Sequence, residues 1–98
     1  MKEIIDYLTK FEKKRGWDRY NRARTKEEKI ELLYKEIVAL LGEFGEFANI
    51  VKRCKRDKKW EIKKLKEELV DMFIFLIKIS KTLNIDLEKE FFEKNEIE

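Results

Sequence analysis

No proline occurs in the 98 residues of this chain, and only three glycines do. Proline and glycine interrupt helices more strongly than any other residues, so their scarcity leaves long helical runs intact. Eighteen Lys and sixteen Glu, both good helix formers, fill much of the remainder. The sequence therefore predicts an all-α fold. Its length makes one small domain, residues 1–98. A monomer of this size buries only about 65% of the surface its unfolded chain exposes, so apolar burial between copies is expected to complete the core.

Apolar spacing divides the chain into four helical segments. Ile4, Ile5, Leu8 and Phe11 form a stripe that predicts a helix over 2–14, ended by Gly16. A polar connection carrying Trp17, Tyr20, Asn21 and several Arg follows. Thr25-Lys26-Glu27-Glu28 reads as a capping box, in which the Thr25 hydroxyl and the Glu28 carboxylate satisfy free amides at a helix start. The second helix should run from there to about Lys52, with Ile30, Leu33, Ile37, Leu40, Leu41, Phe44, Phe47, Ala48 and Val51 giving a broad apolar face. The basic stretch 52–59 breaks that pattern and is expected to hold the turn. A third helix is expected from near Asp57 to about Leu83, then a break at Asn84-Ile85-Asp86, with Asp86 capping a short last helix that holds Leu87, Phe91 and Phe92. Two long and two shorter helices make an antiparallel bundle the natural architecture.

The chain has no His and one Cys, Cys54. A Ser-His-Asp triad, a Cys-His pair and a His-ligated zinc are excluded, and no intramolecular disulfide can form. A single thiol suits a reducing, cytoplasmic location. The longest apolar run, Leu69 to Ile77, is nine residues and includes Asp71; a membrane span needs about 20. Met1-Lys2-Glu3-Ile4 is not followed by an apolar core and cleavage site, so no secretory signal is expected. The net charge of +3, from 24 bases and 21 acids, is too balanced to make nucleic acid the expected partner. Abundant Lys and Glu follow the compositional trend of heat-adapted proteins.

Most of the acids belong to a solvated helix face, but Asp71 does not. It stands inside Leu69-Val70-Asp71-Met72-Phe73-Ile74-Phe75-Leu76-Ile77. A helix apolar on all sides is normally buried, and a buried carboxylate needs compensation. Glu68 lies one turn earlier on the same face, and Glu43 borders the apolar stripe of the preceding helix with Glu46 one turn on. Two such pairs on adjacent antiparallel helices bring four carboxylates together. Four acids without His describe an oxygen-only site for a hard cation, Mg²⁺ or Mn²⁺. Gly42 and Gly45 interrupt the same helix beside Glu43 and Glu46. They imply close approach of either a ligand or another helix to the backbone there.

Glu43-x-x-Glu46, then 21 residues, then Glu68-x-x-Asp71, resembles the signature of the all-α nucleoside triphosphate pyrophosphohydrolases. This MazG-like superfamily includes dimeric dUTPases, dCTP pyrophosphatases and phosphoribosyl-ATP pyrophosphohydrolases. Leu41-Gly42-Glu43-Phe44-Gly45-Glu46-Phe47 is similar to its acidic Gly-Glu turn of helix, and Glu67-Glu68-Leu69-Val70-Asp71-Met72-Phe73 to its second half. Asn84-Ile85-Asp86-Leu87 with Phe92-Glu93-Lys94-Asn95 resembles its usual ending. The chain departs in having Gly42 where many relatives have a further acid, and Glu98 where they often have Asn.

The resemblance implies a homodimer or homotetramer in which Glu43, Glu46, Glu68 and Asp71 hold Mg²⁺. It also implies conversion of an NTP or dNTP and water to NMP and pyrophosphate. Without His, the group that activates water must be a carboxylate, Glu43 or Glu46. Trp17 and Tyr20 are candidates for stacking on the base, and Lys94 and Asn95 for contacts to phosphate or sugar. The basic run 52–59 either draws in the polyanionic substrate or forms a solvated loop that complements a helix C-terminus. Phosphoribosyl-ATP hydrolysis is the alternative within the class. A nucleic-acid-binding module using the basic segments, or an adaptor bundle without an active site, are alternatives outside it. The nucleic-acid-binding alternative gives no reason for Asp71 to be acidic.

Overall fold

The computed structural model describes residues 1–15 and 25–96, and these form four helices with no strand among them. They are α1 (Lys2–Lys14), α2 (Lys26–Asp57), α3 (Ile62–Thr82) and α4 (Leu87–Glu96). Trp17 and Tyr20, as well as Gly16, lie outside the described residues.

The helix ends show how local chemistry sets the boundaries. At the start of α2 the Glu28 amide donates to Thr25 Oγ1 at 3.1 Å, as expected of a cap. The return bond differs from a full capping box. The Glu28 carboxylate accepts from the Thr25 hydroxyl at 3.2 Å instead of from its backbone amide. α2 continues five residues beyond the expected Lys52, because four of the residues from Arg53 to Asp57 are charged, Cys54 being the exception, and a solvated helix tolerates such a stretch well. Lys58 takes the left-handed conformation (φ 54°) that ends α2, and α3 begins at Ile62, five residues later than expected. At the far end of α3, Asn84 is left-handed (φ 56°). Its amide donates to Lys81 O at 3.0 Å and the Ile85 amide to Ser80 O at 2.9 Å, the paired bonds of a Schellman ending. Asp86 Oδ1 then accepts from the Lys89 amide at 3.1 Å, capping α4 as its sequence predicts.

α2 and α3 pack as an antiparallel hairpin. Its register is read from three points: Arg53 near Glu61 beside the turn, Glu43 near Glu68 midway, and Thr82 bonded to Glu36 at the open end. Ile77 is wholly buried, and Ile50 and Leu65 are nearly so. The Thr82 hydroxyl donates to Glu36 Oε1 at 2.6 Å. Burial raises the Glu36 carboxyl above its ordinary value, and the nearby Glu12 charge adds to this. The Thr82 hydroxyl and the charges of Lys78 and Lys81 oppose it.

α1 crosses this end of the hairpin. Leu8 is buried, Glu12 meets Lys81 Nζ at 3.5 Å, and the Met1 ammonium reaches Glu88 of α4 at 3.4 Å.

Much apolar surface remains uncovered. Ile30, Tyr34, Ile37, Val38, Leu41, Phe44 and Val51 are all exposed along α2, as are Leu69, Val70 and Leu76 on α3. The expected burial of the Leu69–Ile77 run on all sides is therefore not met within one chain, and Asp71 itself is not buried. The radius of gyration is 16.0 Å, whereas a compact domain of this length has about 13 Å.

Candidate functional site

Glu43 and Glu46 project from the middle of α2, one turn apart, and Glu68 and Asp71 are spaced alike on α3. The antiparallel register brings Glu43, Glu68 and Asp71 together. Each offers a carboxylate oxygen, and these oxygens lie within 4.8 Å of one another. Glu46 stands outside this trio, exposed, one turn along α2 from Glu43. It still reaches the cluster, because both its charge and a hydrogen bond with it act on Glu68.

The electrostatics of the trio are unfavourable as they stand. A hydrogen bond with Glu43, partial loss of water and the charges of Glu46 and Glu43 push the Glu68 carboxyl up to about 7. Its Oε2 is sealed from solvent and has no hydrogen-bond partner. A proton or a cation would relieve both problems. Oxygens bound to one Mg²⁺ at about 2.1 Å can be no more than about 4.2 Å apart. The cluster is within a small adjustment of that limit, and an oxygen-only donor set suits a hard divalent ion. The residues therefore fit the cation that the sequence implies.

Beside the trio opens a cleft of about 390 Å³, lined by Glu46, Asn49, Ile50 and Arg53 of α2 and by Lys64, Glu67 and Glu68 of α3. Sequence reasoning offered Arg53 only as part of the basic run 52–59 and did not single out Asn49 or Lys64 for this cleft. The signal was available. Asn49 and Arg53 follow Glu46 by three and seven residues, and Lys64 precedes Glu68 by four, so each shares a face with an acid of the site.

Four further candidates from the sequence lie outside the cleft lining. A Cβ built on Gly42 or Gly45 meets nothing within 4 Å, so within the chain neither glycine serves close helix packing. Lys94 and Asn95 sit on α4 and do not line the cleft. The Asn95 amide is engaged with Phe91 O at 2.7 Å.

No described helix is long and apolar enough to cross a membrane. No curated protein and no solved structure matches the chain. A family model described as dUTPase matches residues 6–98, from the first helix through all four acids to the end of the sequence. An all-helical chain with its acids gathered across one hairpin, matched over nearly its whole length, belongs to the dUTPase family.

Proposed function

We propose that this protein is a divalent-metal-dependent nucleoside triphosphate pyrophosphohydrolase, with dUTP the first substrate to try. One observation carries the reading: three carboxylates of α2 and α3 converge so closely that Glu68 is driven up to about 7. An arrangement that costs stability in the free chain makes sense if a cation occupies it. Family membership supplies the substrate class, nucleoside triphosphates. The wider kinship with MazG-like enzymes rests on the acid spacing.

In this reading Glu43, Glu68 and Asp71 hold Mg²⁺, with Mn²⁺ an acceptable substitute. The bound ion would supply positive charge against the triphosphate and the negative charge that grows at its phosphorus. Of the two carboxylates that sequence offered as base, Glu46 is the better placed, since it stands beside the trio and exposed to water. It takes the proton as the water oxygen bonds to the α-phosphorus, and the bridging oxygen leaves with pyrophosphate.

Incubation with each NTP and dNTP and with phosphoribosyl-ATP, with Mg²⁺ or with chelator, tests this. NMP and pyrophosphate are the expected products, formed only with metal. Orthophosphate and NDP would contradict the proposed bond cleavage.

We also propose that the active form is an oligomer built on the exposed apolar face of α2. A folded 12.1 kDa monomer presents about 6,000 Å² of surface, whereas this chain presents 8510 Å². The difference is of the order that an obligate homodimer interface removes. Gly42 and Gly45 border that face and leave open space for a second backbone. Light scattering should give a mass of at least two chains, and Leu41→Glu with Phe44→Glu should reduce it to one. A wild-type mass of one chain would end this part of the proposal.

A further inference from the structure

We infer that Arg53 and Lys64 form the seat of the terminal phosphates, so that the substrate's polyphosphate lies along the α2–α3 groove with its far end towards the turn. This rests on the pyrophosphohydrolase reading and adds a direction to it. The lining of the cleft beside the acids includes two cations, and they are these two. Both converge on one carboxylate: Glu61 lies 3.7 Å from Arg53 Nε and 3.2 Å from Lys64 Nζ. Glu61 thus holds two long side chains from different helices at one end of the groove.

The spacing suits a polyphosphate. Lys64 is four residues from Glu68 on α3, about 6 Å along the helix axis, and seven from Asp71, about 10 Å. The cleft narrows the choice further, because Glu46, Glu67 and Glu68 also line it. An anion brought between these acids needs fixed positive charge beyond that of the metal, and Arg53 and Lys64 supply it. Both remain partly exposed, at 44% and 60% of their side chains, so an incoming phosphate can share or replace Glu61 as their partner.

The test uses inorganic pyrophosphate, titrated calorimetrically into the full chain with Mg²⁺, and UMP titrated separately. Arg53→Ala and Lys64→Ala should each weaken pyrophosphate binding by about tenfold, the loss typical of one charged hydrogen bond, and leave UMP binding unchanged. Arg56→Ala controls for overall charge. Arg56 pairs with Asp57 at 2.8 Å and does not line the cleft, so its removal should not alter pyrophosphate affinity. Unchanged pyrophosphate affinity in the Arg53→Ala, Lys64→Ala double variant overturns the inference, as does an equal loss for UMP and pyrophosphate. A wild-type chain that hydrolyses no nucleotide but binds pyrophosphate through these two residues upholds the seat and removes the enzymatic reading alone.

Discussion

Glu68→Gln is expected to lower nucleotide turnover by at least about a hundredfold, the scale of losing one charge-stabilising group at a reacting phosphate or carbonyl, while making the metal-free protein more stable. The two effects share one cause. Folding pushes Glu68 from its ordinary 4.5 to about 7, so between those values the folded chain binds more protons than the unfolded one. Stability then falls as pH rises through that window: the favourable contribution is complete below about 4.5 and gone above about 7. Glutamine removes the penalty. The variant should therefore match wild type in melting temperature near pH 4, and exceed it near pH 8 with chelator present. Adding Mg²⁺ or Mn²⁺ should reverse the order, because wild type gains a bound ion and the variant gains less. Asp71→Ala should likewise abolish turnover and leave a folded protein. A Glu68→Gln protein that melts lower than wild type at pH 8 without metal would show the carboxylate to be structural.

Ile77→Ala is the substitution expected to harm the fold most. Ile77 is a residue of α3 with no exposed surface. Truncating a buried isoleucine to alanine costs about 2–5 kcal/mol, as lost transfer energy and a residual cavity. For a domain of this size each kcal/mol lowers the melting temperature by about 4–8 °C, so a fall of roughly 8–40 °C is expected by circular dichroism. Ile77→Val, which removes one methylene, should cost no more than about 1.5 kcal/mol. Only Leu8, Ile50 and Leu65 join Ile77 as buried apolar side chains among the described residues. With so thin a core, other packing has little reserve to offset the loss. A drop of less than a few degrees would mean that stability resides mainly between chains.

The helices were legible in the sequence because their signals are local. Apolar spacing, Thr25 before Glu28, and Asp86 before the last helix each act within one or two turns, and each reappears in the structure. The end of α2 was less so. Charge alone does not break a helix, and the stop comes from one left-handed residue, Lys58, whose side chain does not announce it. Glycine is the usual occupant of such a position.

Three of the four acids that the sequence grouped, Glu43, Glu68 and Asp71, do meet, and their meeting was legible for a different reason. An acid inside an apolar run breaks the pattern around it, and the spacing from Glu43 to Asp71 places the groups on facing helices. The surroundings of these acids were harder to read. The Leu69–Ile77 run says that apolar surface must be covered, but periodicity does not distinguish cover by the same chain from cover by another copy. The cations of the cleft were hidden because 24 Lys and Arg occur in this sequence. Only the fold selects two of them.

The bond from Thr82 to Glu36 works as a locating pin for chemistry far from it. Helices on a smooth apolar seam can slide, and a slip of one turn, about 5.4 Å, would draw Glu68 and Asp71 away from Glu43. Such a slip would also strip a desolvated carboxylate of its donor, which a seam made only of leucine and isoleucine would not resist. Eleven residues along α3 from Asp71, about 17 Å, one hydroxyl thereby keeps the two rods in phase.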